Sequence, residues 1–281
     1  MRRWLVPAIG GGVLGVAAVS VALVMAASGA PACAAPVSGS GRATYFDGSK
    51  GGNCSFGPPS TNLYVALGPQ EYQAGAACGG SIDVKGPKGS VRVKVVDQCP
   101  ECEKGHLDLS QAAFARIGNV SAGIIPISYK AVQNPPLPGP ITMTVKDGAS
   151  QYWLAILADN HGNPLAKMEV RTPSGGWAAM QHTDYNYWLD EDGDGRGPFT
   201  VRLTDVFGHQ ATVAGITLSP LKRQKTTTMM YGPAAPKRTP SAKPSIRPSI
   251  GPSIGPSMAP ATSQAPAPDL WAQTGLSCKH D

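Results

Sequence analysis

The chain has 281 residues, enough for two ordinary domains and a surplus. Its net charge of +6 is unevenly placed: residues 221–281 hold eight Lys and Arg against two acids, while residues 4–220 carry 14 basic and 16 acidic side chains. That near-neutral stretch excludes a nucleic-acid binder, which needs a cationic patch on its folded part to displace counterions from phosphates.

In chain order, Arg2 and Arg3 precede an apolar run that ends in Ala32-Cys33-Ala34-Ala35. A basic start, a greasy middle and a small-residue exit predict a secretory signal over 1–35. Retention as an anchor and lipidation at Cys33 are the competing readings. Residues 36–135 are expected to form the first domain. Strands are predicted at 63–67, 81–85, 90–96 and 125–132 from alternation and β-branched content, with Gly86-Pro87-Lys88-Gly89 as hairpin chemistry. One helix is predicted, capped by Ser110, with Ala113, Phe114 and Ile117 on one face and Gly118 as its stop. A Pro-rich bridge at 134–140 is too stiff to let two domains tumble freely. Residues 141–219 restart with strands at 141–145, 152–157, 166–171 and 199–203 and no helix, the pattern of a small β-sandwich. Residues 220–281 lose the apolar periodicity. Their Pro-Ser-Ile repeats cannot bury a core, so a disordered Pro/Ser-rich tail is expected, with Trp271 and Cys278 unassigned.

Cleavage of the signal would leave Cys54, Cys78, Cys99 and Cys102 within about fifty residues, with Cys278 apart. Export favours two disulfides among these four over a zinc site, with three connectivities open. Asp108 lies between two leucines just before the helix, where desolvation would raise its pKa and suit it to proton or strong hydrogen-bond donation. The simpler reading is a helix cap. Asp190-Glu191-Asp192-Gly193-Asp194-Gly195 opens like a calcium loop but has Val201 at the twelfth position, so an acidic hairpin turn is expected instead. His106 and His182 have no metal-ligand spacing. No metal and no cofactor are predicted. Trp177 and Trp188 are assigned mainly to packing.

Three motifs occur together: Ala43-Thr44-Tyr45, then Val95-Val96-Asp97-Gln98-Cys99-Pro100-Glu101-Cys102, then Leu107-Asp108-Leu109-Ser110 continuing to Gly118. With Asp184-Tyr185-Asn186 after a Tyr152-Trp153 pair, the chain resembles the bacterial expansin-like proteins over residues 40–218. The resemblance implies a mainly β protein: a six-stranded double-psi β-barrel followed by an immunoglobulin-like, cellulose-binding β-sandwich. It implies a secreted, extracellular protein that loosens noncovalent contacts in plant-type walls without hydrolysis. Its partners would be cellulose and associated wall polysaccharides, with no nucleic acid, no membrane after signal cleavage, and a monomeric state.

By the same resemblance, Asp108 matches the essential groove aspartate and Asp97 the second groove acid. Glu101 is an acidic neighbour and Thr44 a first-strand hydroxyl. Phe46 stands where the family has a polar or tyrosine side chain, and Cys99 where it has a groove tyrosine. Tyr152, Trp153 and Tyr185 match a linear aromatic platform for sugar C–H faces, with Lys146 beside it. Adjacent strand residues face opposite ways, so Tyr152 and Trp153 need a bulge or strand end to act together. The rivals on such a barrel are an inverting endoglucanase using Asp108 as acid and Asp47 as base, a peptidoglycan lytic transglycosylase with Asp108 as acid, and a protease-inhibiting barrel. Alternation from Thr44 and Phe46 turns Asp47 away from the groove.

Overall fold

A computed structural model describes residue 35 and residues 37–232. The expectations for the signal, Cys33, Trp271 and Cys278 lie outside the described residues. Six strands come first: β1 (Ser38–Phe46), β2 (Tyr64–Leu67), β3 (Ser81–Gly86), β4 (Gly89–Gln98), β5 (His106–Ser110) and β6 (Ile125–Val132). They close into a barrel in the order β1-β5-β2-β4-β3-β6. The β1–β5 and β2–β4 pairs are parallel and the rest antiparallel, so long crossovers are required. Val65, Leu67, Val84, Val93, Leu107 and Leu109 fill the interior by strict alternation.

Helix α1 (Pro69–Tyr72) has no counterpart among the expected elements. It is one turn long, with Pro at its start and too little apolar periodicity to read. Helix α2 (Gln111–Ile117) matches expectation: Ser110 Oγ accepts from Ala113 N at 3.2 Å, and Ala113, Phe114 and Ile117 are buried against the barrel. Ser110, not Asp108, is therefore the cap, and Asp108 is left for the groove.

The second unit is a sandwich. One sheet has the order β10-β9-β13-β14, from β9 (Leu165–Arg171), β10 (Trp177–Ala179), β13 (Phe199–Asp205) and β14 (Gln210–Ile216). The other runs β11-β12-β8-β7-β15, from β7 (Thr142–Val145), β8 (Leu154–Asp159), β11 (Gln181–His182), β12 (Trp188–Asp190) and β15 (Arg223–Lys225). Ile156, Met168, Val170, Trp188, Val201 and Leu203 form the core between them.

Strand β15 pairs with β7, and Met230 is buried in the same core, so the sandwich extends beyond the expected end at residue 219. Thr-rich, basic residues with one buried methionine carry little periodicity, which is why this strand looks like tail in the sequence. Residues 191–198 cross from one sheet to the other instead of closing a hairpin. Trp188 packs as expected. Trp177 instead lies half-buried on the outer face of its sheet, with the Arg202 guanidinium 4.4 Å over its ring.

The barrel docks on the outer face of the five-stranded sheet. Leu154, Ile156 and Ala158 face the sandwich core, while Ala155 and Leu157 join the barrel's apolar cluster. Lys94 pairs with Asp159, and Arg223 donates to Phe56 O at 2.7 Å. Among the described residues no helix is long and apolar enough to cross a membrane.

Candidate functional site

The barrel's register assembles the groove. Thr44 lies opposite Asp108, Asp108 opposite Ala66, and Ala66 opposite Asp97. Cross-strand partners share a face, so Thr44, Asp108 and Asp97 line one row across four strands. Asp97 reaches this face because of a bulge: the β2–β4 register shifts between Val65 and Ala66. Without it, the alternation of Val91, Val93 and Val95 would carry Asp97 into the barrel interior.

Thr44 Oγ1 donates to Asp108 Oδ1 at 2.6 Å and lies 2.9 Å from His106 Nε2. The hydroxyl has one proton and gives it to Asp108, so Nε2 carries the hydrogen in the other bond. His106 Nδ1 is then an acceptor, buried and without a partner in the described residues. Burial pushes the Asp108 carboxyl above its ordinary range. Thr44 and His106 oppose that rise, while Glu101 and Asp97 add to it. Burial also lowers the His106 imidazole, helped by Arg42 and opposed chiefly by Asp108. His106 shares the Asp108 face two residues earlier, a role that a search for metal-ligand spacing does not reveal.

The four cysteines pair as Cys54–Cys78 and Cys99–Cys102. The second ring contains exposed Glu101, and its cysteines pack on Ala66 with Phe46 against them. Phe46, two residues after Thr44 on β1, meets Tyr64 edge-on with ring centroids 5.6 Å apart. Asp97 is bound to a loop: its Oδ1 accepts from Asn53 N at 2.6 Å and Gln98 N at 2.8 Å. Asp47 lies beyond the end of β1, exposed, and accepts from Ser49 N at 2.9 Å. That interaction, with the Ser49 side chain foremost, lowers its pKa.

Of the residues expected to form a platform, Trp153 and Tyr185 lie on the barrel side of the five-stranded sheet. Tyr152 and Trp153 precede β8 at a bridge between Ser150 and Trp153, the strand end that two adjacent aromatics require. Tyr152 is 73% exposed, whereas Trp153 is half-buried and packs with Tyr185 against the barrel's cluster. Lys146 N donates to Ala155 O, placing Lys146 beside this face. Its ammonium lies 5.9 Å from the Tyr185 ring centroid and 5.6 Å from that of Tyr187.

Tyr187, which shares Lys146 with Tyr185, is absent from the expected site, although it follows Tyr185 at strand spacing. A side chain at Gly193 would press on the backbone of Tyr152 and Trp153, so the acidic crossover props this corner. There burial and Asp190 push Asp194 up to about 6. No metal-binding cluster of three or more His, Cys, Asp or Glu occurs among the described residues.

Fold and site together define a class: a double-psi β-barrel with an acidic groove, docked on an immunoglobulin-like sandwich that presents aromatics beside it. A family model described as lytic transglycolase matches residues 64–129, within the barrel. Expansin-YoaJ of Bacillus subtilis (strain 168) is 38% identical over 174 residues, 60% of this chain and 74% of that protein. Expansin-like protein 5 of Dictyostelium discoideum is 31% identical over 179 residues, covering 59% and 74%. The crystal structure of a mutant Clavibacter michiganensis expansin in complex with cellohexaose aligns with a TM-score of 0.66 and 40% identity, over 70% of this chain and 99% of that one. The chain belongs to the expansin family.

Proposed function

We propose that this protein is exported, binds cellulose and associated polysaccharides of plant-type walls, and loosens noncovalent glucan contacts without hydrolysis. The carrying observation is the isolation of Asp108 as a working acid. It is desolvated and hydrogen-bonded to Thr44, while Asp97 is bound to a loop, Asp47 to Ser49, and Glu101 is exposed in the small Cys99–Cys102 ring. Inverting hydrolysis needs a second carboxylate about 6.5–9.5 Å away that activates water. Asp47 is exposed and turned to Ser49, and Asp97 is turned toward backbone N–H groups of a loop. In this reading Asp108 hydrogen-bonds a glucan and competes for its contacts with neighbouring chains.

Tyr152, Trp153 and Tyr185, with Lys146, hold the glucan by stacking and by a cation over the platform edge. The cellohexaose held by the Clavibacter protein supports a glucan as the partner. The test is incubation with cellulose, xylan and peptidoglycan, measuring both pulldown and released reducing ends. Pulldown on cellulose without new ends is expected. Steady release from any of the three would overturn the non-hydrolytic reading.

A further inference from the structure

Asp97 is a groove acid whose contacts lead out of the groove. Its Oδ1 accepts from the backbone of Asn53 and of Gln98. Loop 52–56 is packed so closely on it that a Cβ at Gly52 would stand 2.3 Å from the Asp97 carboxyl carbon. The carboxylate is thus walled by backbone on the loop side, and the loop's position depends on it.

That loop grips the second domain. Asn53 Nδ2 donates to Asp184 O at 3.2 Å and lies 3.0 Å from the Tyr72 hydroxyl, which itself donates to Asp184 O at 2.7 Å. Ser55 Oγ donates to Tyr185 O at 2.8 Å, and Asn186 Nδ2 donates to Cys54 O at 3.1 Å. Gly75 presses from the other side: a Cβ there would lie 2.9 Å from both Thr183 O and Asp184 O. The turn 183–187 makes its own shape through Thr183 N to Tyr187 O and Asn186 N to Thr183 O, with Asn186 at φ +69°. Its attitude is set from outside, because the carbonyls on both sides of Tyr185's Cα are held by barrel groups.

We infer that Asp97 is a positioning residue for the aromatic platform: through loop 52–56 its carboxylate seats the turn that presents Tyr185. The platform of one domain is then complete only while the other is docked. The glucan readout of this inference rests on the function proposed above, but the geometry does not.

The test uses the full chain and three variants, Asp97→Ala, Asp97→Asn and Asn53→Ala. Binding isotherms on microcrystalline cellulose are measured together with thermal midpoints and amide spectra. An amide oxygen accepts as a carboxylate oxygen does, so Asp97→Asn should bind within about twofold of wild type. Asp97→Ala and Asn53→Ala should each weaken binding roughly 3- to 10-fold, the value of a lost positioning hydrogen bond. In the spectra, the Tyr185 and Asn186 amide signals should move in the two alanine variants and stay in Asp97→Asn.

Wild-type binding by Asp97→Ala, with unmoved Tyr185 signals, would overturn the inference. So would an Asp97→Asn protein as impaired as Asp97→Ala, since charge and not positioning would then matter. Asn53→Ala, which leaves the Asp97 carboxylate in place, decides the matter if Asp97→Ala does not fold. If wild type fails to bind cellulose, the glucan reading falls, and the amide shifts alone decide whether Asp97 seats the turn.

Discussion

In the barrel, Thr44 and Asp108 meet because two parallel strands are in fixed register inside a closed sheet, with Leu107 and Leu109 locked in the interior on alternate positions. In the sandwich, Trp153 stands at a strand end, Lys146 just beyond β7, and Tyr185 on a turn held by another domain. The first arrangement is intrinsic to one folding unit. The second is assembled at the junction, on the same sheet face that docks the barrel. The difference teaches that cutting the chain at the bridge would leave the groove in order and degrade the platform.

The largest expected effect is on the disulfides, and it sharpens that contrast. Replacing Cys54 and Cys78 by serine removes a link across 24 positions, worth about 3.5 kcal/mol on loop entropy. It also frees loop 52–56, so cellulose binding should fall along with the urea midpoint. Replacing Cys99 and Cys102 opens a link across three positions, worth about 2 kcal/mol, and should leave binding intact. Equal losses of binding in both pairs would break the comparison.

Next comes Trp153→Ala. Loss of a dominant aromatic anchor costs about 2 kcal/mol, roughly thirtyfold in affinity for cellulose. The intact protein carrying Asp108→Asn should show no such loss. If the barrel without its sandwich bound as tightly as the whole chain, the platform would be in the wrong domain.

The smallest effect is on pH, and it has opposite signs for a buried histidine and a buried carboxylate. His161 is buried at the junction, its Nδ1 bonded to Asn163 O, its Nε2 without a partner among the described residues, and its ring against Gly79 and Phe56. Burial lowers its pKa, with Lys94 adding to the fall and Asn163 O, Asp159 and Asp205 opposing it. A depressed histidine contributes stability above its unfolded value of about 6.5 and loses it as pH falls through the folded value. Asp108 is raised, so acid favours the fold at the groove and the benefit is complete only below its ordinary value of 3.8. The thermal midpoint should therefore drop on going from pH 7 to pH 5, and less so in His161→Gln. A midpoint that drops equally in both proteins would remove His161 from the account.

Much of the barrel is legible in the sequence. Strands β3, β4 and β6 alternate cleanly, and Ser110 with Gly118 brackets α2. Strand β5 is not among the expected strands, because five residues ending in a helix cap give no independent period. Strands β10, β11 and β12 have two or three residues each and fall below any periodic signal. Within the site, Thr44, Asp97 and Asp108 come from motif resemblance and share a row, although periodicity alone would place Asp97 inside the barrel. A one-residue bulge is invisible to pattern reading. His106 and Tyr187 escape the sequence for different reasons. One stands out only against metal-ligand spacing, which it does not meet, and the other merges into Tyr185-Asn186-Tyr187-Trp188, a turn whose faces no strand period assigns.

The central claim, a single working acid that loosens without cutting, is tested most directly by comparing wild type with Asp108→Asn on cellulosic wall strips. Extension under load and reducing ends should be measured in the same samples. Wild type should weaken the strips and release no ends above background, while Asp108→Asn should neither weaken nor cut, with cellulose binding retained. Protein-dependent release of oligosaccharide by wild type, abolished in Asp108→Asn and in Asp47→Ala, would contradict it.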